Sequence, residues 1–312
     1  WKGLMLHRQY RFDGIWAMMA HSAGVPAAIF KLFHKDVPYV LTLQEGDPPE
    51  QIEKTLKPLW PLFTRAFTEA TVVQAISQFL GEWARRRHFT GPLEIIHNGA
   101  NPRDVANEVP EEEVERARQA MGKKPGDIVL INTARLVPQK GADTTIRALK
   151  LLPEHVKLVL VGDGPEEQSL KTLAQQLGLA ERVTFTGRVD RSQVTAYRKA
   201  ADIFVAPSRS EGLGLAFLSA LASRLPLVAT QEGGLADYVF DAKRNPEQPT
   251  TAWAVDKDQP EQIAAAVQQI LAQPEQVRVV TENAHRMVLE SFEWGKIAKD
   301  MQERVFNRLW NS

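Results

Sequence analysis

From about Lys123 the chain alternates short apolar runs with longer stretches whose apolar positions recur at helical spacing. That is the mark of repeated βαβ units around a parallel sheet. Ile128–Thr133 (IVLINT), Val156–Val161 (VKLVLV), Val183–Thr186, Asp202–Ala206 and Leu227–Thr230 read as strands. Ala142–Leu152, Glu166–Leu177, Ser192–Lys199, Leu215–Ala222 and Pro260–Ala272 read as helices. Pro165, after Gly162-Asp163-Gly164, is expected in the first turn of its helix, where a missing N–H costs nothing. The predicted fold is a doubly wound α/β sheet, whose ligands sit at the carboxyl ends of the strands. The glycine-bearing loops all fall at those ends.

The first hundred residues give a shorter α/β pattern. Pro38–Leu43 (PYVLTL) and Leu93–His97 (LEIIH) read as strands, with helices over Trp16–Leu32, Ile52–Ala70 and Ser77–Arg87. A linker rich in Pro, Asn and acid, Asn98–Glu113, follows. Arg244–Thr251 (RNPEQPTT) reads as a polar loop. The tail Val277–Leu309 reads as helical, with Phe292-Glu293-Trp294 as an apolar anchor. The expected division is a first domain over 1–108, a second over 109–276, and C-terminal helices over 277–312 that pack back toward the first. No internal repeat or low-complexity tract stands out.

Composition narrows the partners rather than the fold. With 312 residues there is chain enough for two cores. The formal net charge is zero, so no global field recruits nucleic acid or an anionic membrane. There are no cysteines, which removes thiolate nucleophiles, thiolate metal sites and disulfides and is compatible with a reducing cytoplasm. No apolar run is long enough to cross a bilayer, and charges interrupt the opening WKGLMLHRQYRFDGIW, unlike a signal peptide. The chain opens on Trp1 rather than Met, so its original start is expected to have been removed or not captured.

The densest chemical signal is Ile203–Pro226, IFVAPSRSEGLGLAFLSALASRLP. An apolar strand ends in a Pro-Ser turn; Glu211, a Gly-Leu-Gly turn and an apolar helix follow. A carboxylate beside two glycines at a helix start can hold sugar hydroxyls while bare backbone N–H groups face an anion. Arg135 and Lys140 stand in the loop after another strand, ARLVPQKG. Together these residues suggest a cleft for a sugar carried on a diphosphate.

Six segments in order, TARLVPQKGAD, LVLVGDGPEEQSL, VTFTGRV, ADIFVAPSRSEGLGL, LPLVATQEGGLADYV and FEWGKIA, resemble those of glycosyltransferase family 4, a group of GT-B enzymes. The resemblance runs from about Asp13 to the C-terminus and is dense from Asp127 to Leu271. It implies two Rossmann-like domains facing a cleft, a nucleotide-sugar donor on the C-terminal one, and transfer with retention at the anomeric carbon. Arg135 and Lys140 match the family's basic pair on the donor diphosphate. Fixed cations there stabilise the charge gained by the leaving group, Arg as a fork and Lys as a point charge. Glu211 matches the first acid of the paired-glutamate motif, on the donor sugar; the plain alternative is an acid favoured by a helix dipole. Gly212, Leu213, Gly214 and Leu215 would bring backbone to the donor. Gly187, Arg188 and Val189 match the turn that meets the base, where a simple strand-end turn serves as well. Gly233-Gly234 matches a loop before an acidic helix start, Asp237, and reads as structural.

The resemblance has departures. The position of the family's second glutamate, which grips the ribose, holds Ser219. Replacing a charged acceptor by one short hydroxyl costs about 1.5–3 kcal/mol, or ~10-fold in affinity. Gln44 stands where many relatives have a histidine, and cannot exchange protons near neutrality. Glu45 and Asp47 are acceptor-side candidates, with a polar strand-end loop as the alternative. The family's first strand and glycine-rich loop have no counterpart, so the first domain is expected to be shortened, with an unprotected edge that would invite homodimerisation.

Gly162-x-Gly164 lacks the third glycine of a dinucleotide fingerprint and reads as a turn. The seven histidines show no ligand spacing, so no metal or other cofactor is expected beyond the donor as co-substrate. Trp83–Arg87 (WARRR), with Trp60 and Phe63, could touch a membrane surface, although a solvated helix face is the simpler reading. The expected reaction is hexose transfer from a nucleoside-diphosphate sugar to a glycan or lipid-linked hydroxyl, in the cytoplasm or at the inner membrane face. Two alternatives stay open: a catalytically impaired sugar-nucleotide-binding protein and a GT-B-like epimerase or phosphorylase.

Overall fold

The computed structural model describes residues 2–106 and 108–310. Trp1, on which the expectation about the chain start falls, lies outside the described residues, as does Asn107 of the predicted linker. The chain divides into two units. The first takes the chain up to Asn98, the segment Glu211–Leu213, and the chain from Trp294 on. The second takes Gly99–Ser210 and Gly214–Glu293. The division therefore falls at Asn98 rather than 108, and the helix Pro274–Ser291 stays with the second unit rather than opening a separate tail.

The first unit is built on four parallel strands in sequential order: β1 (Ile15–Met18), β2 (Tyr39–Leu43), β3 (Val72–Ala75) and β4 (Leu93–Ile95). Every residue of β2 and β3 is buried, as expected of a parallel sheet covered on both faces. At the edge, β1 alternates instead, with Ala17 inward and Trp16 and Met18 outward. The helix expected over Trp16–Leu32 is thus a strand, then a π-helical turn Met19–Gly24, then the helix Val25–Lys31. Periodicity cannot separate a short continuous apolar run such as IWAMMA from a buried helix.

The expected helix Ile52–Ala70 is two, Pro49–Leu56 and Trp60–Thr68, joined by a short 3₁₀ turn. The helix Gln78–Arg86 starts where Ser77 accepts a hydrogen bond from the Leu80 N–H, a side-chain N-cap. Trp83 on this helix is 1% exposed, and the Arg87 guanidinium lies 3.9 Å over the Trp60 ring. Within WARRR, Trp83, Ala84 and Arg87 are buried, while Arg85 and Arg86 are exposed, as is Trp60. From the C-terminal chain, Ile297, Val305 and Leu309 pack with Val40, Val72 and Ile96. Arg304 and Arg308 both pair with Glu94 of β4, at 2.6 and 2.8 Å.

The second unit holds six parallel strands: β5 (Ile128–Thr133), β6 (Val156–Val161), β7 (Val183–Gly187), β8 (Ile203–Ala206), β9 (Leu227–Ala229) and β10 (Trp253–Ala254). Their spatial order is β10-β9-β8-β5-β6-β7. The chain builds outward from β5 to β7, then returns to the other side of β5 and builds outward again, the order of a dinucleotide-binding sheet. Its core joins Leu130, Leu158, Leu160, Ile203 and Val205 to Ile146, Leu170, Ile263 and Val267 on the covering helices.

The linker expected over Asn98–Glu113 contains the short helix Pro102–Ala106 and runs into the helix Glu111–Met121. Asp104 is fully buried on the first of these and pairs with Arg198, itself 4% exposed, at 2.6 Å. A second bond of 2.7 Å and one of 3.2 Å complete the fork. Pro165 stands in the turn before the helix Glu167–Gln176 rather than in its first turn. Asp237 closes the 3₁₀ segment Gly233–Asp237 rather than opening a helix. Among the described residues, no helix is long and apolar enough to cross a membrane.

Candidate functional site

In the second unit, β5 and β8 are neighbours, although two strands separate them in sequence. This is the point where the strand order reverses, the place at which ligands of such sheets bind. The loop after β5 carries Arg135 and Lys140; the loop after β8 leads to Glu211 and the Gly-Leu-Gly turn.

Each loop ends on a left-handed glycine that opens a helix. Gly141, with φ +66°, precedes Ala142–Leu149, and Gly214, with φ +83°, precedes Leu215–Ala222. Neither helix start receives a side-chain cap. First-turn N–H groups left this way are the donors an anion or a sugar oxygen would use. A methyl group on Gly141 would run into the Pro207 carbonyl, so glycine here serves both the left-handed φ and the close packing of the two loops. Gly214 is boxed in by Phe217, Leu235 and the Tyr238 hydroxyl, which donates to the Gly214 carbonyl at 3.1 Å.

The loops after β5, β6 and β7 are laced together by main chain. Leu136 N–H donates to Asp163 at 2.8 Å, Glu166 N–H to Leu136 at 3.1 Å, and Gly162 N–H to Gly187 at 2.9 Å. Side chains at Gly162 and Gly164 would collide with the carbonyls of Ala134 and Leu136. The sequence pair Gly162/Gly164 is thus a packing device. Gly187 (φ +68°) with exposed Arg188 and half-buried Val189 ends β7 in a turn.

Within this frame Arg135 is exposed and makes no ion pair among the described residues, while Lys140 is half-buried. Ser219 lies buried on the helix that Gly214 opens, 6% exposed, and its carbonyl is engaged by Ser223 at 3.0 Å. Leu215, at the start of that helix, is 40% exposed. Sequence reasoning missed Arg209. It holds the turn Pro138–Lys140 through its main chain and its guanidinium, and the only signal was an arginine among small residues in PSRSEG.

The segment Glu211–Leu213 groups with the first unit. Glu211 is buried there, and Gly212 packs so closely on the Glu45 carbonyl that a Cβ would collide with it. Gln44, Glu45 and Asp47 follow β2 at its carboxyl end; Gln44 is half-buried and Asp47 exposed. Glu45 is 1% exposed, and its Oε1 accepts the Ala20 N–H at 2.5 Å while its Oε2 has no partner among the described residues. Burial pushes its carboxyl up to about 7, against the opposing pull of backbone hydrogen bonds. His21, also overlooked in the sequence, follows β1, with Nδ1 4.0 Å from Glu45 Oε1. Its place beside Glu45 follows from the parallel pairing of β1 with β2.

Residues 113–287 match the family described as glycosyl transferases group 1. A GDP-mannose-dependent phosphatidylinositol monomannoside mannosyltransferase of Mycolicibacterium smegmatis is 34% identical over 57% of this chain and 47% of its own. The chain thus spans about half the length of that relative. A putative teichuronic acid biosynthesis glycosyltransferase of Bacillus subtilis is 30% identical over 96% of this chain and 72% of its own. Among solved structures, Anabaena HepE in complex with UDP aligns at TM-score 0.84 over 98% of this chain and 81% of that one, at 21% identity. A sucrose-phosphate synthase from Thermosynechococcus elongatus aligns at 0.80 over 99% of this chain and 76% of that one, at 25% identity. Two parallel-sheet units of GT-B type and a match over more than half of the sequence lead to one assignment: the chain belongs to the glycosyl transferases group 1 family.

Proposed function

We propose that this chain is a retaining glycosyltransferase of family 4 that moves a hexose from a nucleoside-diphosphate sugar to a hydroxyl of a glycan or lipid-linked acceptor. The observation that carries the reading is the pair of glycine-opened, uncapped helix starts at the carboxyl ends of β5 and β8, with Arg135 and Lys140 on the first of those loops. Cations and bare N–H groups at a sheet's switch point suit a diphosphate. The mannosyltransferase relative and the UDP-glucose complex of HepE agree with a nucleotide-sugar donor while differing in base and sugar.

In the proposed reaction the bond from the anomeric carbon to the diphosphate oxygen breaks and one to the acceptor oxygen forms on the same face. The acceptor proton passes to the departing phosphate. Arg135 and Lys140 stabilise the charge that collects on that phosphate, and Glu211 orients donor hydroxyls. No protein nucleophile enters this scheme, and no metal or further cofactor is proposed. Cytoplasmic placement, contact with the inner membrane face and a homodimer belong to the same proposal.

The test is a thermal-shift screen with UDP, GDP and ADP, since a ligand that binds only the folded state raises its stability. Transfer from the matching sugar donor follows, with Lys140→Ala expected to lower turnover by about a hundredfold, as loss of one charge-stabilising donor does. Unchanged turnover in that variant would remove Lys140 from the mechanism. A second reading, nucleotide binding without transfer, is motivated by Ser219 and Gln44, and binding without release of free sugar or product would select it.

A further inference from the structure

Arg209 stands at the end of the β8 strand-turn, and all three of its guanidinium nitrogens are engaged within the second unit. Its N–H donates to the Gln139 carbonyl at 2.7 Å. Its Nη1 donates to the Pro138 carbonyl. Its Nη2 reaches Asp143 at 2.9 Å and Thr144 Oγ1 at 3.3 Å. Its Nε reaches Asp258 at 2.7 Å. Thr144 in turn lies 3.5 Å from Asp258.

An arginine at the proposed phosphate site would ordinarily be read as a phosphate ligand. Here the fork is already committed to two carboxylates, a hydroxyl and a carbonyl, so little is left for a substrate. What the bonds do instead is fix the 3₁₀ turn Pro138–Lys140. The carbonyls of Pro138 and Gln139, the two residues before Lys140, are both held by this one side chain and its own backbone. On the far side of the turn, Gly141 is pressed onto the Pro207 carbonyl. The guanidinium is also tied to Asp143 and Thr144, in the first turn of the helix that Gly141 opens. Lys140 and the open helix start therefore take their positions from the loop after β8.

We infer that Arg209 is a positioning residue that sets Lys140 and the Gly141 helix start for the donor diphosphate, without touching the donor. The inference rests on the donor site proposed above. A lysine cannot replace this fork, because a single ammonium cannot reach carbonyl, carboxylate and hydroxyl at once in a fixed plane.

The experiment compares affinities of the nucleoside diphosphate chosen by the thermal-shift screen and of its parent nucleoside, by calorimetry. Wild type, Lys140→Ala, Arg209→Ala, Arg209→Lys and Asp143→Asn/Asp258→Asn are measured side by side. The nucleoside lacks the phosphates, so its affinity reports the base and ribose contacts alone. Arg209→Ala is expected to weaken the diphosphate by about tenfold, near the loss in Lys140→Ala, and to leave the nucleoside within about twofold. Arg209→Lys is expected to behave like Arg209→Ala, and the double carboxamide variant to show the same selective loss with the arginine still present. A purely structural role would lower melting temperature without changing the ratio of the two affinities.

A diphosphate-to-nucleoside ratio in Arg209→Ala equal to wild type, beside a reduced ratio in Lys140→Ala, would overturn the inference and leave the donor site standing. No diphosphate preference in wild type would overturn both. If Arg209→Ala does not fold, the double carboxamide variant decides by the same ratio.

Discussion

The buried carboxyl of Glu45 makes stability depend on pH in a direction opposite to most carboxylates. The side chain is 1% exposed, has one backbone N–H on Oε1 and leaves Oε2 without a partner among the described residues. Burial raises its pKa from 4.5 to about 7. The native state therefore holds a proton that the unfolded chain has already released between those values, and stability falls as pH rises. Glu45's contribution is fully present below about 4.5 and is lost as pH climbs through about 7. A shift of this size corresponds to roughly 3 kcal/mol, at about 1.4 kcal/mol per unit. Glu45→Gln keeps an acceptor for Ala20 N–H and carries no charge to desolvate. Its stability relative to wild type is expected to improve by about 3 kcal/mol between about pH 4.5 and 8.5, whatever the offset at the acid end. Urea denaturation across that range, followed by tryptophan fluorescence, supplies the curve. A difference that stays flat with pH would refute the desolvation argument.

Two further outcomes test the fold and the departure at the ribose position. Asp104→Ala leaves the Arg198 guanidinium buried without its carboxylate and is expected to cost about 3–5 kcal/mol in chemical denaturation, with less lost when Arg198→Met is added. Ser219→Glu is expected to tighten nucleoside diphosphate binding about tenfold in calorimetry, by restoring a charged acceptor. An unchanged affinity in a folded variant would detach this position from the ribose.

Much of the second unit was legible because its strands are covered on both faces. Runs such as VKLVLV and IFVA must be continuous and apolar there, and glycines or prolines mark their ends. β5, β6 and the helices Leu215–Ala222 and Pro260–Ala272 have the bounds expected. The edge strand β1 was not legible, since IWAMMA carries no period that distinguishes it from a helix. The helix Pro102–Ala106 hides in a polar stretch because what holds it, Asp104 to Arg198, joins residues far apart in sequence. Pro165 lies two residues ahead of the helix rather than in its first turn, because main-chain bonds between Leu136 and Glu166 hold the loop there.

The order of apolar runs and loop glycines determined a two-part parallel α/β chain and marked the loops where chemistry would gather. These follow from local sterics and burial, which each segment carries in its own residues. The tertiary structure alone decided that β5 and β8 lie side by side, that Glu45 is buried, and that Arg209 is bonded to the Lys140 turn. Desolvation and hydrogen-bond pairing depend on what surrounds a group, and those neighbours come from distant parts of the sequence.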